Sequence, residues 1–420
     1  METNTFFCYD LRIMSPNQQR LSRKYLLYKL FTNLWFLGAV WLYFYRLFIT
    51  DQQVGILDGM AFAIGLIAEI PSGALADKFG RANMVKLGQL MTGGGLLLQA
   101  SGSSFLPFFV GQTIMMIGVA FVSGADEALF YERLKFDAKS KNWRKLLLRG
   151  SQVTLFGTFV AMIIGGWLHT INPRVPWILT GVSFLISAII VWSVKEEREK
   201  VSKKGFTEEL KDYLHDIKTG IVEFRLPKLW IYVPIIITVQ GLFYTAGYGI
   251  LRMILLGRFN FSPFLGSLAI AVSGLVTIGI LSLMHKYADR LSEKKVLVFV
   301  SMSAGAGLLL SLANIGMWGF IVIFILYAGE HALYPFMSEI INFHAPEKQR
   351  ATILSVASFL RTLPYVVLAP VIGYLSTNGK LNYFLVIWPC LIFVAVFVYL
   401  GKKRTDNMIK LANEEQEKRL

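Results

Sequence analysis

The chain has few of the residues on which soluble enzymes and secreted domains depend. Only two cysteines occur among 420 residues, Cys8 and Cys390, so neither a disulfide framework nor a thiolate metal site is supported. The five histidines lie in separate segments, and the sequence contains no P-loop and no G-x-S-x-G. We therefore expect no catalytic residues, no metal, no cofactor and no direct use of ATP.

Charged residues are also scarce. They make up 16% of the chain, against about 25% in a typical soluble protein, whereas 55% of the residues are hydrophobic. This composition indicates a membrane protein. The net charge is +15, but the basic residues lie in short gaps between apolar runs, so we expect lipid headgroups and not nucleic acid as neighbours. No short apolar core of a signal peptide precedes Tyr25.

Apolar runs of the length that crosses a bilayer, about 20 residues, recur along the chain. We predict twelve spanning helices, at residues 27–49, 54–76, 84–102, 105–132, 147–169, 175–194, 229–252, 263–285, 295–313, 316–341, 350–375 and 382–401. A charge-rich linker, 195–228, separates two sets of six and is expected to hold an amphipathic helix on the membrane surface. The predicted divisions are an N-terminal segment 1–26, bundles 27–194 and 229–401 on either side of the linker, and a tail 402–420.

The positions of Lys and Arg predict the orientation, because cytoplasmic loops retain them. If the N-terminus is cytoplasmic, the gaps between spans on the far side hold only Arg174, Arg252, Arg258 and Lys380. Nearly all the others then lie on the cytoplasmic side. We therefore expect a multi-pass protein of a bacterial inner membrane with both termini in the cytoplasm.

Two short sequences recur in the two halves. Ala76-Asp77-Lys78 follows the second predicted span, and Ala288-Asp289-Arg290 follows the eighth. GADEALFY in the fourth span is similar to GEHALYP in the tenth. Repeated bundles around a central site are typical of secondary transporters, in which one half rocks against the other.

The stretch GALADKFGR, residues 73–81, resembles the G-x-L-a-D-r-x-G-r loop of the major facilitator superfamily. The resemblance implies an all-α membrane protein whose twelve transmembrane helices form two pseudo-twofold-related six-helix bundles. In that superfamily the loop is a cytoplasmic latch of the outward-facing state. The latch residues implied here are Gly73, Asp77, Gly80 and Arg81, with Glu132 as carboxylate partner and Asp289 and Arg290 in the second copy. The alternative is a simple interface turn anchored by charge.

A longer pattern begins at Glu69. Glu69-x-Pro71, followed by Asp77 and Arg81, resembles the E-x-P-x5-D-x3-R signature of clostridial-type tetracycline efflux proteins and their relatives. This resemblance implies export and adds Glu69 to the latch. The fifth span, GTFVAMIIGGWL, lacks the G-P-x-x-G-G pattern of the related drug/proton antiporters, so uptake stays open as the other direction.

Ionisable residues inside predicted spans are the candidates for proton coupling or substrate binding. Each costs about 2.5–3.5 kcal/mol on insertion scales unless it is paired or faces water. The candidates are Asp126, Glu127, Glu330, His331 and Arg361. Adjacent positions on a helix point about 100° apart, so we expect Asp126 and Glu127 not to share one partner. The alternative roles are a buried structural hydrogen bond for Glu330, a polar side chain packed between helices for His331, and packing or latch support for Asp126 and Glu127. For Arg361 the alternative is a structural ion pair with a carboxylate of the fourth or tenth span.

The sequence therefore predicts a proton-coupled secondary active transporter, and not an enzyme, that works by alternating access. Its expected substrate is an amphipathic small molecule, drug-like or an endogenous metabolite such as a siderophore, which it exports as a monomer. Proton-linked uptake of a polar nutrient is the alternative within transport. A non-transporting membrane sensor on the same scaffold is the alternative outside it. The expected partners are the substrate, protons and the lipid bilayer.

Overall fold

The helices of this protein account for all of its regular secondary structure in the described part of the chain. The computed structural model describes residues 15–134, 141–194, 211, 227–247, 249–287, 292–345 and 350–417. Eight of its helices are long and apolar enough to cross a membrane, and a bent pair around residue 248 would make nine. The expectation of an all-α membrane fold is confirmed.

The described residues of the N-terminal half form eight helices. They are α1 (Pro16–Phe31), α2 (Trp41–Tyr45), α3 (Asp51–Phe79), α4 (Arg81–Ser101), α5 (Phe105–Val122), α6 (Ala125–Leu134), α7 (Lys141–Ile171) and α8 (Val175–Trp192). Helix α4 packs between α5 and α8. The side of α4 that faces the bundle carries the buried polar residues Gln89, Thr92 and Gln99. These residues make α4 less apolar than the eight helices that are apolar enough to cross a membrane.

The C-terminal half begins with short helical pieces and continues with long helices. They are α9 (Pro227–Trp230), α10 (Val233–Ile235), a π-helical turn (Ile236–Gln240), α11 (Gly241–Gly247), α12 (Ile250–Arg258), α13 (Pro263–Lys286), α14 (Glu293–Leu310), a 3-10 turn (Gly316–Gly319), α15 (Phe320–His344), α16 (Arg350–Thr377) and α17 (Leu381–Glu417). The apolar span Leu381–Lys402 agrees with the predicted span 382–401, and α17 continues beyond it. Helix α1 begins at Pro16, before the predicted span 27–49. The predicted linker helix lies outside the described residues apart from Lys211, Pro227 and Lys228.

The first predicted span is not one continuous helix. Helix α1 ends at Phe31, and α2 begins only at Trp41. Beyond α1, the side chain of Asn33 donates to the backbone oxygen of Lys29 at 2.7 Å, and that of Thr32 donates to Tyr28 O at 2.8 Å. Such side chains compete with the helical backbone for its acceptors, and the chain turns at this point.

The two halves pack together mainly along two helix pairs, α3 with α16 and α7 with α13. We call the end of the bundle that carries Lys78, Arg81 and Lys402 the basic end, and the other end the opposite end. At the opposite end, Tyr43 donates to Phe261 O at 2.8 Å, and the backbone N–H of Gln52 donates to Thr377 Oγ1 at 2.8 Å. These bonds join the halves there.

An ion pair reinforces the same end. Arg46 and Asp51 approach to 2.7 Å, and Asp51 also accepts a hydrogen bond of 2.5 Å from Ser376 on α16. Between described residues, the hydrogen bonds that cross from one half to the other lie at mid-depth or at this end. The bundle is therefore closed at the opposite end.

Glycine permits the close approach of α3 to α16. A Cβ atom at Gly55 would collide with the carbonyl group of Ala369, and one at Gly373 would collide with the carbonyl oxygen of Asp51. Small residues at such crossings let helix backbones come together in membranes. The closure of the opposite end therefore depends on the absence of side chains at these two positions.

Candidate functional site

A cavity of about 690 Å³ lies between the two halves. Its wall is mainly apolar and carries nine aromatic residues: Trp35, Trp41, Tyr45, Phe62, Phe159, Trp177, Tyr244, Tyr327 and Tyr365. It extends from Trp41 and Tyr45 near the closed end to Leu155 and Leu281, which lie toward the basic ends of α7 and α13. A cavity of this size accommodates a small molecule.

Two interruptions in helices contribute to the wall. The turn between α1 and α2 supplies Asn33, Trp35 and Gly38. The chain bends by 66° between α11 and α12, which places Gly247 and Arg252 on the wall. Non-helical backbone at membrane depth is tolerated where it is buried in protein or lines a cavity, so both interruptions fit a binding site.

Asp58 on α3 lies in the wall of the cavity, and the sequence reasoning missed it. The residue is only 7% exposed. One carboxylate oxygen accepts a hydrogen bond of 3.0 Å from Gln112 on α5, and the other accepts one from the hydroxyl group of Tyr365 on α16. Asp58 could have been found from the sequence, because it is a single carboxylate within the apolar stretch VGILDGMAF. Glu330 was selected because it is likewise an acidic residue inside a predicted span.

Glu330 and Arg361 form an ion pair beside the cavity. The distance between Glu330 Oε1 and Arg361 Nη1 is 2.8 Å, and the two side chains are 5% and 13% exposed. The guanidinium group also lies 4.2 Å from the ring centre of Tyr334 and 5.2 Å from that of Tyr244, as in cation–π contacts. The pair joins α15 to α16. A structural ion pair of this kind was the alternative to a role of Arg361 in proton coupling or substrate binding.

His331, unlike Glu330, lines the cavity. Its ring stacks on that of Tyr327, with the centres 4.5 Å apart. Nδ1 lies 2.9 Å from the backbone oxygen of Tyr327, so a proton on Nδ1 completes this hydrogen bond. The imidazole is thereby fixed in orientation at the surface of the cavity.

Asp126 and Glu127 share one partner, contrary to the expectation. Lys29 Nζ lies 3.3 Å from Asp126 and 3.2 Å from Glu127. The fourth predicted span breaks at Gly124, where φ is +73°, so both acids lie in the first turn of α6. There the long lysine side chain reaches both carboxylates. Neither acid is among the described residues that line the cavity.

The predicted latch residues lie at the basic end of the N-terminal half. Arg81 forms an ion pair with Glu132, the predicted carboxylate partner. Glu69 accepts a hydrogen bond of 3.1 Å from Ser123, next to the break between α5 and α6. Gly80 separates α3 from α4 with φ +92°. This conformation favours glycine.

For the other predicted latch residues, the described part of the structure contains no contact that would support a latch. Gly73 is exposed within α3, and a Cβ atom there would have open space around it. The backbone of Asp77 is helical, and its side chain lies outside the described part. Asp289 and Arg290 also lie outside the described residues. The role of these positions as a latch stays a prediction.

Similar proteins place this architecture in a known class. The family model described as Major Facilitator Superfamily matches residues 30–369 and 235–420. An uncharacterized MFS-type transporter of Bacillus subtilis, YxaM, is 19% identical over 383 residues, which cover 87% of this chain and 91% of that protein.

Solved structures of transporters have the same fold. The nucleoside transporter NupG superposes with a TM-score of 0.71 at 13% identity, over 92% of this chain and 99% of that one. The peptide transporter POT in complex with sulfate superposes with a TM-score of 0.68 at 14% identity, over 93% and 99% of the two chains. The family model, which matches most of the chain, shows that the chain belongs to the major facilitator superfamily and is a membrane transporter of that type.

Proposed function

We propose that this protein is a proton-coupled secondary active transporter that exports an amphipathic small molecule by alternating access. The observation that carries the proposal is the apolar cavity between the halves, with nine aromatic residues, Asp58 and His331 in its wall and the opposite end closed. Aromatic rings offer apolar contact area and cation–π contacts to such a molecule. Titratable groups on the same wall offer a means of linking its movement to that of protons.

The proposed direction rests on two further features. The basic end is the cytoplasmic side under the positive-inside rule, so a cavity open toward that end would receive its substrate from the cytoplasm. The Glu69-x-Pro71 pattern resembles a signature of efflux proteins. We assign both termini to the cytoplasm of a bacterial cell and treat the protein as a monomer.

Proton-linked uptake of a polar nutrient is the second candidate. The similar folds include a nucleoside transporter and a peptide transporter, and the cavity wall carries Arg252 besides Asp58. A cation and an anion on one wall suit a polar substrate that bears both charges. The two candidates differ in substrate chemistry and in the direction of net movement.

Transport by everted vesicles and right-side-out vesicles separates these functions. We expect an imposed pH gradient to drive ethidium into everted vesicles that contain the protein, because everted vesicles accumulate exported compounds. Inosine and dialanine serve as polar probes. Uptake of either into right-side-out vesicles would instead support the nutrient transporter. No substrate-linked proton movement with any probe would contradict both and favour the sensor.

A further inference from the structure

Asp58 is the one acidic residue among the described residues that line the cavity. Within that part of the chain it lies in no ion pair. Its two partners, Gln112 and Tyr365, are neutral hydrogen-bond donors. A buried carboxylate without a cation is costly to keep ionised, so the surroundings of Asp58 favour its neutralisation by a proton or by a cationic ligand.

The other buried acids lack this property. Glu330 has Arg361 at 2.8 Å, and Asp126 has Lys29 at 3.3 Å. A cation held at that distance already compensates the carboxylate, and removing its charge would leave the partner unpaired. Among the described acids of the bundle interior, Asp58 is therefore the one that a proton or a cationic group can neutralise without creating an unpaired charge.

The hydrogen bond of Asp58 to Tyr365 joins the two halves at mid-depth. Asp58 belongs to α3 of the N-terminal half, and Tyr365 belongs to α16 of the C-terminal half. The rings of Phe62 and Tyr244 pack against that of Tyr365, with centres 5.1 Å and 5.8 Å away. A hydrogen bond to an ionised acceptor is about twice as strong as one between neutral groups. The hydrogen bond from Tyr365 is therefore stronger when Asp58 is ionised than when it is neutral. This bond joins the two halves, so it has to break when one half rocks against the other.

The groups around Asp58 that titrate or carry charge are few. Tyr45 of α2 and Tyr365 of α16 face it from the neighbouring helices, and Gln112 faces it from α5. Tyr244 of α11 packs against the ring of Tyr365 and lines the same cavity. Arg252 of α12 and His331 of α15 lie on the wall of the same cavity. Arg252 donates to the backbone oxygen of Gly38 at 3.2 Å. The three phenols are neutral donors at physiological pH.

We propose that Asp58 is the proton-carrying residue of this transporter and that its ionised form, bonded to Tyr365, locks the empty protein in the state open at the basic end. The proposal rests on the proposed function. Two events release the lock: a proton moves from hydronium to a carboxylate oxygen of Asp58, or a protonated amine or other cationic group of the substrate pairs with the same carboxylate. The proton later leaves to water at the other end.

This arrangement accounts for obligatory exchange. The proton and the cationic substrate compete for one carboxylate, so the protein carries one of them at a time. The empty, ionised form stays locked by Tyr365 and does not return unloaded. Breaking the lock while keeping the carboxylate should therefore let the empty form return, and the protein should then leak protons without any substrate.

The test is the rate at which proteoliposomes lose an imposed pH gradient in the absence of substrate. The vesicles contain the full chain and the dye pyranine, and potassium with valinomycin removes the membrane potential. We expect Tyr365→Phe to dissipate the gradient about tenfold faster than the wild type. The matched control is Tyr374→Phe, which removes the hydroxyl group of a tyrosine on the same helix that is 46% exposed, and its vesicles should stay tight.

The double variant Asp58→Asn with Tyr365→Phe identifies the leaking group. We expect it to return to the wild-type rate, because no carboxylate is left to carry the proton. A tight Tyr365→Phe variant, or a double variant that leaks as fast as the single one, would overturn the proposal. Because this assay uses no substrate, its outcome is separate from that of the vesicle transport test.

If Tyr365→Phe does not fold, a second variant tests whether Asp58 carries the proton. Asp58→Asn alone should abolish pH-driven movement of whichever probe the wild type transports, whereas Glu339→Gln, which removes an exposed carboxylate of α15, should retain it. Proton-driven transport by Asp58→Asn would overturn the assignment while leaving the proposed function intact. A wild type that transports no probe would instead contradict the proposed function.

Discussion

Replacing Arg361 with methionine is expected to lower the free energy of unfolding by about 3–5 kcal/mol, because it leaves the carboxylate of Glu330 buried without its cation. The two groups are 2.8 Å apart, and the Glu330 side chain is only 5% exposed. Methionine fills a similar volume, so the loss of packing is small beside the loss of charge compensation. The midpoint of thermal unfolding of the purified protein in detergent measures the change.

The double variant Glu330→Gln with Arg361→Met is the control for this prediction. It removes both charges, and we expect it to recover most of the lost stability, since replacing a whole buried ion pair is often close to neutral. A double variant as unstable as Arg361→Met would mean that the arginine acts through its contacts with Tyr244 and Tyr334. Loss of proton coupling in the double variant would return Glu330 to the proton pathway.

Replacing Gly55 with leucine should open the opposite end of the bundle. A side chain at this position collides with the carbonyl group of Ala369, and overpacking of this kind costs about 1–3 kcal/mol. The collision is present in the closed state, and we expect it to be relieved when α3 and α16 move apart at this end. The equilibrium between the two states should therefore shift by about 5- to 150-fold toward the state open at the opposite end.

Labelling of one cysteine with a membrane-impermeant maleimide detects this shift. The natural residues Cys8 and Cys390 are first replaced by serine, and Met162, which lines the cavity on α7, is replaced by cysteine. We expect the rate of labelling from the opposite face to rise at least about fivefold in Gly55→Leu. Gly94→Leu is the matched control because a Cβ atom there meets open space, and equal rates in the two variants would refute the prediction.

Much of this architecture follows from one-dimensional properties of the chain. Apolar runs of spanning length predict helices because a bilayer leaves backbone groups no other partners, and α3, α7, α13 and α15 lie close to their expected positions. The GALADKFGR loop indicated the superfamily, which the family comparison confirmed. Arg81 and Glu132 were predicted to meet, and the structure contains that ion pair.

The breaks in the helices were harder to predict. Thr32 and Asn33 look like ordinary members of an amphipathic run, but their side chains bind backbone oxygens where α1 ends. The bend of 66° between α11 and α12 lies in an equally apolar stretch. Hydropathy reports how favourable a residue is in lipid and carries no information on where the helix axis turns.

The sequence by itself determined that the chain is a helical membrane transporter of this superfamily, because length, apolar composition and loop motifs act locally. Only the tertiary structure decided which charged groups meet. Asp58 and Tyr365 are 307 positions apart, and Lys29 lies between two acids that helical geometry alone had separated. Such pairs depend on the rotation of each helix about its axis and on the packing of the two halves, neither of which a single sequence specifies.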